Sequence, residues 1–113
     1  RVNPNILNDV KQLELIDQES QNKLVLILKH STRCSISITA LGRFERSWKE
    51  SDSNFIKPYY LDLLNFRDIS NLIAKRYHIE HQSPQILLIN KGICTFSQTH
   101  LDISYSDIIN LKL

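Results

Sequence analysis

The sequence predicts an α/β fold, a four-stranded mixed sheet flanked by helices with one extra helix in front, on three observations. Two short apolar runs without alternation, Leu24–Leu28 and Gln85–Asn90, suit strands buried on both faces. Between and around them, apolar residues recur at helical spacing. Finally, Lys91-Gly92 separates the second run from Ile93–Gln98, as a tight turn separates the strands of an antiparallel hairpin.

Taken in order, residues 5–21 carry Ile6, Leu7, Val10, Leu13, Leu15 and Ile16, mostly at helical spacing, with Asn5 or Asn8 as the cap. Strand 24–28 follows, and then the polar turn His30-Ser31-Thr32-Arg33. From Cys34 onward, Ile36, Ala40, Leu41, Phe44 and Trp48 mark one face of a helix over 35–50. The charged and small run Lys49–Asn54 reads as a loop. Phe55–Leu64 reads as a strand, and Pro58 within it, lacking a ladder donor, favours an edge position. A second helix is predicted over Arg67–Tyr77, with Ile69, Leu72, Ile73 and Tyr77 on its stripe. Polar residues His78–Ser83 lead through Pro84 into strand 85–90 and its hairpin partner. Thr99–Ile103 reads as a loop. The last helix opens on a Ser104-x-x-Asp107 capping pattern and would bury Ile108, Ile109 and Leu111. Two parallel crossovers, a hairpin and a closing helix make a thioredoxin-like arrangement of one domain over residues 1–113.

The composition narrows the function classes. Apolar residues make up 42% and charged residues 23%, ordinary values for a globular chain. A net charge of +2 gives no electrostatic case for nucleic acid or an anionic membrane as partner. No run approaches the roughly 18 apolar residues of a membrane span. The chain opens Arg-Val-Asn-Pro-Asn, without a signal-peptide segment. Cys34 and Cys94 stand far apart, so they suggest neither a metal cluster nor a disulfide framework. A reduced, cytoplasmic setting and a monomer are the expectations.

Cys34 is the residue expected to carry chemistry. A cysteine that opens a helix faces unsatisfied backbone N–H groups and the positive end of the helix dipole. Both favour the thiolate, the reactive species. Lys29, His30 and Arg33 would push the same way if they lie close. The competing reading, a buried and inert cysteine, fits neither the polar turn nor the basic neighbours. Three residues on, Ser37 takes the place where a dithiol redox protein carries its resolving cysteine. A serine cannot close an internal disulfide, so the chemistry should stop at an intermolecular mixed disulfide.

Three blocks resemble a known family. Lys29-His30-Ser31-Thr32-Arg33-Cys34-Ser35-Ile36-Ser37, Ser83-Pro84-Gln85-Ile86-Leu87-Leu88-Ile89, and Thr99-His100 are similar, in that order, to the YtxJ family of monothiol bacilliredoxins. The resemblance runs from about Leu13 onward. Two positions depart from it: Ser35 stands where the family usually has proline, and Leu101 where an aromatic residue often follows the histidine. The resemblance implies that Cys34 takes bacillithiol off cytosolic client proteins that carry it as a mixed disulfide. Bacillithiol would be the thiol co-substrate, and a second thiol or a partner would regenerate Cys34. It further implies a cis bond at Pro84 beside the cysteine, with backbone groups at Ser83 open to an incoming chain. The expected substrate-binding residues are Thr32, Arg33, Ser35, Ser83, Pro84 and His100, with no metal site.

Other residues carry plainer expectations. Cys94, within strand 93–98, reads as core or edge filler rather than a resolving thiol. Trp48 and Tyr77 read as core. His30, His81 and His100 lack metal-ligand spacing and read by default as surface or loop histidines; the alternative is that the fold brings their turns to one end, where they ring the thiol, with His100 the strongest candidate. Arg33 reads either as a partner for a carboxylate of the small thiol or, equally, as a solvated turn arginine. Two other function classes compete. One is a redox-silent binding module that docks peptides along the Pro84 loop. The other is an iron–sulfur carrier like the monothiol glutaredoxins, which carry Cys-Gly-Phe-Ser where this chain has Cys34-Ser35-Ile36-Ser37.

Overall fold

A computed structural model describes residues 4–111. Nine main elements follow one another: β1 (Asn5–Ile6), α1 (Gln12–Glu19), β2 (Leu24–His30), α2 (Ser35–Ser47), β3 (Ile56–Asp62), α3 (Arg67–Tyr77), β4 (Gln85–Asn90), β5 (Ile93–Thr99) and α4 (Tyr105–Ile109). Short 3-10 turns cover Glu50–Asn54 and His100–Asp102. The strands form one mixed sheet in the order β1-β3-β2-β4-β5. The expected α/β architecture stands, with five strands rather than four.

β2 is central because its side chains are buried on both faces. Leu24, Leu26 and Leu28 face α2 and α4, packing with Ala40, Leu41, Phe44, Trp48 and Ile108. Val25 and Ile27 point the other way, toward Leu13 and Ile16 of α1 and Ile69, Ile73 and Tyr77 of α3. The alternation of a strand thus splits one apolar run between two cores. Trp48 and Tyr77 are buried, as core aromatics should be.

Several expected boundaries move. Residues 5–21 are not one helix: Asn5–Ile6 form a short strand parallel to β3, and α1 starts only at Gln12. The Gln12 side chain accepts the Asn8 and Asp9 N–H groups, satisfying the segment ahead of the helix. Ile6, Val10 and Leu15 are consequently exposed. α2 ends at Ser47, and the run read as a loop contains the Glu50–Asn54 turn. That turn is held by buried Asp52, which accepts the Lys49 N–H at 2.8 Å and the Tyr105 hydroxyl at 2.5 Å. Thr99 extends β5, and a 3-10 turn occupies most of the remaining loop. Ser104 caps α4 by accepting the Asp107 N–H, as its pattern predicts, but Leu111 lies beyond the helix and is exposed.

β3 is not an edge strand, because β1 pairs on its outer side. Pro58 is nonetheless accommodated for the reason the sequence suggests. Its carbonyl accepts from the Asn5 side chain on the β1 side. In extended backbone the N–H and C=O of a residue point the same way, so the missing donor also faces outward, where the short β1 makes no demand on it.

The second expected parallel crossover is absent, since β4 runs antiparallel to β2. α3 begins at the carboxyl end of β3 and spans about 16 Å. His78, in the left-handed region at φ 57°, then ends the helix. Residues 79–84 lead back, so that β4 starts opposite Lys29, at the end where α2 and α3 begin. Three connections therefore meet at one rim of the sheet.

Candidate functional site

Cys34 sits at that rim as the residue preceding α2, in an extended conformation at φ −101° and ψ 120°. Its N–H donates to the Ser31 carbonyl at 3.1 Å, and its carbonyl accepts the Ile38 N–H at 3.0 Å. The first bond closes the turn and the second opens the helix. No side chain caps α2, so its first-turn N–H groups remain open beside a half-buried thiol.

The turn is held from below by Ser37. This serine is fully buried, and its Oγ accepts the Ser31 N–H at 3.0 Å while lying 2.6 Å from His30 Nδ1. The Ser37 hydroxyl thereby bridges the Ser31 N–H and the His30 ring. Burial lowers the His30 pKa, against an opposing pull from Glu45 and Asp62. Burial thus favours the neutral ring, which adds no positive charge to the turn. Ser37, not Ile36, starts the buried stripe of α2; Ile36 is exposed.

Lys29 also departs from expectation. Being odd-numbered in β2, it points to the α3 face, away from α2. It is fully buried, with Nζ donating to the Ser70 carbonyl at 3.2 Å and to His81 Nδ1 at 3.3 Å. Ser70 Oγ lies 3.1 Å from the same nitrogen. His81 therefore ties α3 and β2 to the segment before Pro84 instead of ringing the thiol. Burial first, then Lys29 and Arg67, lower its pKa. Burial alone brings Lys29 from 10.5 down to about 8. Between those values the unfolded chain holds more protons, so Lys29 makes stability rise with pH. From pH 8 to 9.5 the wild type should gain about 1–2 kcal/mol relative to Lys29→Met, at about 1.4 kcal/mol per pH unit at most. Paired urea unfolding curves across that range check it, and parallel trends would contradict it.

Continuing the β2–β4 register past Lys29–Gln85 sets Pro84 opposite His30 and Ser83 opposite Ser31. The Ser83–Pro84 bond is cis, as the resemblance implies. Pro84 is buried and its carbonyl accepts the His100 N–H at 3.0 Å, which joins the two last predicted blocks. His100 itself is exposed, in the left-handed region at φ 54°. Ser83 Oγ is buried without a partner. Ser35, Thr32 and Arg33 are exposed around Cys34.

Thr32 and Arg33 line a cleft with Leu64, Asn65 and Arg67, residues the sequence reading did not single out. Leu63 N–H donates to the His30 carbonyl, and Asn65 and Phe66 N–H groups donate to the Asp62 carbonyl. The β3–α3 connection is thereby folded against the cysteine turn. Cys94 lies elsewhere. It pairs with Ile89, four residues along β4 from the rim, roughly 13 Å at strand rise. Burial raises its pKa, and its Sγ donates to the Phe96 carbonyl at 3.4 Å. A disulfide needs Cα atoms within about 7 Å, so Cys94 is not placed to resolve Cys34. Among the described residues no group of three or more His, Cys, Asp or Glu could hold a metal ion, and no helix is long and apolar enough to cross a membrane.

Comparison with known proteins agrees with this geometry. A solved thioredoxin-fold structure, described provisionally as an oxidoreductase, is 34% identical, with a TM-score of 0.81 over 95% of this chain and 91% of its own. The thioredoxin Mala s 13 of Malassezia sympodialis shares the fold at 15% identity and a TM-score of 0.72, over 97% of this chain and 88% of its own. Thioredoxin of Schistosoma mansoni does so at 20% and 0.65, over 96% and 95%. A family model described as monothiol bacilliredoxin BrxC matches residues 5–108. With a thioredoxin fold, a cysteine opening α2 and a serine one turn later, the chain belongs to the monothiol bacilliredoxin BrxC family.

Proposed function

We propose that this protein is a monothiol thiol–disulfide transferase that removes bacillithiol from client proteins through Cys34. The observation that carries the reading is the pairing of a half-buried thiol at an uncapped helix start with a serine at the resolving position. The Cys34 thiolate attacks the bacillithiol sulfur of the client mixed disulfide. The client S–S bond breaks, its electron pair leaves on the client thiolate, and a new S–S bond joins bacillithiol to Cys34. The client sulfur is reduced from −1 to −2 while the Cys34 sulfur is oxidised from −2 to −1, and the client thiolate takes a proton from solvent. Open N–H groups at the start of α2 stabilise the negative charge spread over the three sulfurs.

With no sulfur at Ser37, the adduct waits for an external thiol, a second bacillithiol or a dithiol partner, to take the small thiol away. Ser83 and cis Pro84 offer backbone to the incoming client, and Thr32, Arg33, Ser35 and His100 surround the small thiol. The reading places this chemistry in the cytoplasm, where thiols stay reduced, with the protein as a monomer and bacillithiol as co-substrate.

The test is intact-protein mass spectrometry after mixing reduced protein with a bacillithiol-capped client. The expected result is the bacillithiol mass on this protein and a freed client thiol. A client that stays capped while Cys34 stays bare would overturn the reading, leaving a docking module that uses the Pro84 loop.

A further inference from the structure

We propose that the cleft lined by Thr32, Arg33, Leu64, Asn65 and Arg67 seats the carboxylate-bearing end of the small thiol while its sulfur is on Cys34; this rests on the transferase reading above. The cleft lies between the turn that ends at Cys34 and the connection from β3 to α3. Its volume is about 290 Å³. Sites for whole small molecules run from about 300 to 1,000 Å³. This cleft lies at the lower end of that range, with room for a carboxylate-bearing end group, and the nucleophile is the residue next to Arg33.

Arg33 and Arg67 have no ion-pair or hydrogen-bond partner among the described residues. Of the other cations, Lys57 pairs with Glu19, Arg76 with Asp17, and Arg43 donates to the Leu101 and Ile103 carbonyls, whereas Arg46 too lacks such a partner among the described residues. No carboxylate lines the cleft. Of the neighbouring acids, Asp68 follows Arg67 in the first turn of α3, and Asp62, at the end of β3, accepts from the Asn65 amide at 2.7 Å. That bond uses one Asn65 donor and leaves its second N–H for a ligand.

Two guanidinium groups at the mouth of one small cleft match carboxylate geometry, since each fork can take two oxygens. Leu64 supplies an apolar wall. The position matters as much as the charge. Thr32 and Arg33 move with the cysteine turn, whereas Asn65 and Arg67 sit on the β3–α3 side, tied to that turn through the His30 carbonyl. A small thiol held at its far end by both sides would present its sulfur to Cys34 in a fixed direction. The gain goes to small thiols that carry carboxylates, over neutral ones of the same size.

The experiment compares single-turnover transfer to Cys34 from one client capped with bacillithiol or with uncharged 2-mercaptoethanol, and repeats it with a client lacking acidic residues beside its cysteine. Wild type, Arg67→Gln and Arg67→Lys are the proteins, because exposed Arg67 opens α3 and packs in neither core. The expected result is a bacillithiol-over-neutral rate ratio that falls about tenfold in Arg67→Gln and is partly restored in Arg67→Lys. The ratio should also fall with added salt. An unchanged ratio in Arg67→Gln, with the wild type still active, overturns the subsite and leaves the transferase intact. A rate loss that follows the client's acidic residues rather than the cap overturns it too, and assigns the arginines to the client. Absence of bacillithiol uptake by the wild type removes the transferase and the subsite together.

Discussion

Exchanging Cys34 for serine should end uptake of the small thiol altogether while leaving the protein at least as stable. A hydroxyl cannot form the S–S bond on which transfer depends, so intact mass should show no adduct at any time. Loss of folding would not be the cause. Cys34 occupies the position before the first turn of α2, with extended backbone and no side-chain capping bond of its own. Serine is among the residues most favoured there, because its oxygen accepts an N–H of the first turn. The expected change in stability is therefore zero to about 1 kcal/mol in favour of Cys34→Ser. Urea unfolding midpoints measured beside the mass spectra separate the two effects. Persistent adduct in Cys34→Ser would move the nucleophile to Cys94, against its burial and its place far down β4.

The contrast between Cys34 and its neighbours explains how much of this molecule its sequence discloses. The run Leu24–Leu28 is legible because a strand buried on both faces leaves no alternation, and the two cores it divides are the observed ones. The last capping serine is legible because a cap is local. Ser37 is legible only as a missing sulfur. Its burial depends on the Ser31 N–H and the His30 ring, partners that appear only once the turn has formed, and a hydrophobic count passes over it in favour of exposed Ile36. Lys29 misleads in the same way: a lysine after an apolar run reads as a strand end, yet Ser70 and His81, 41 and 52 positions away, draw it into the interior.

Long-range pairing accounts for the remaining differences. The direction of β4 depends on how residues 79–84 return along the sheet, and the pairing of Asn5–Ile6 depends on where β3 lies; neither is written in local periodicity. The cis bond at Pro84 and the approach of His100 entered through the resemblance, since Ser-Pro in isolation is compatible with trans. Arg67 escaped notice altogether. It opens a helix, far in sequence from Cys34, and only the fold of the β3–α3 connection onto His30 places it beside Arg33.

The same turn yields the second large effect, from Ser37→Cys. Cys34 precedes α2 and Ser37 lies three positions on, the Cys-x-x-Cys spacing at which dithiol redox proteins bring two Cβ atoms to the roughly 3.5–4.5 Å of a disulfide. The introduced thiol would stand one helical turn from Cys34, on the side where Ser37 now meets His30. Once Cys34 carries the small thiol, the introduced sulfur can attack Cys34, break the mixed disulfide and expel the small thiol. The product is an internal disulfide. The mass of the small-thiol adduct should vanish, and a protein lighter than its reduced form by two hydrogens should replace it. The exchange also has a cost, because the Ser31 N–H and His30 Nδ1 lose a good partner, of order 1–3 kcal/mol. Ser37→Ala measures that cost alone: it should be destabilised similarly yet still accumulate the adduct. If Ser37→Cys holds the small thiol as long as the wild type does, position 37 does not face the Cys34 sulfur. If the adduct resolves, one buried hydroxyl is what keeps this protein a carrier of a small thiol rather than a self-resolving dithiol, and its two hydrogen bonds explain why a serine serves at that position.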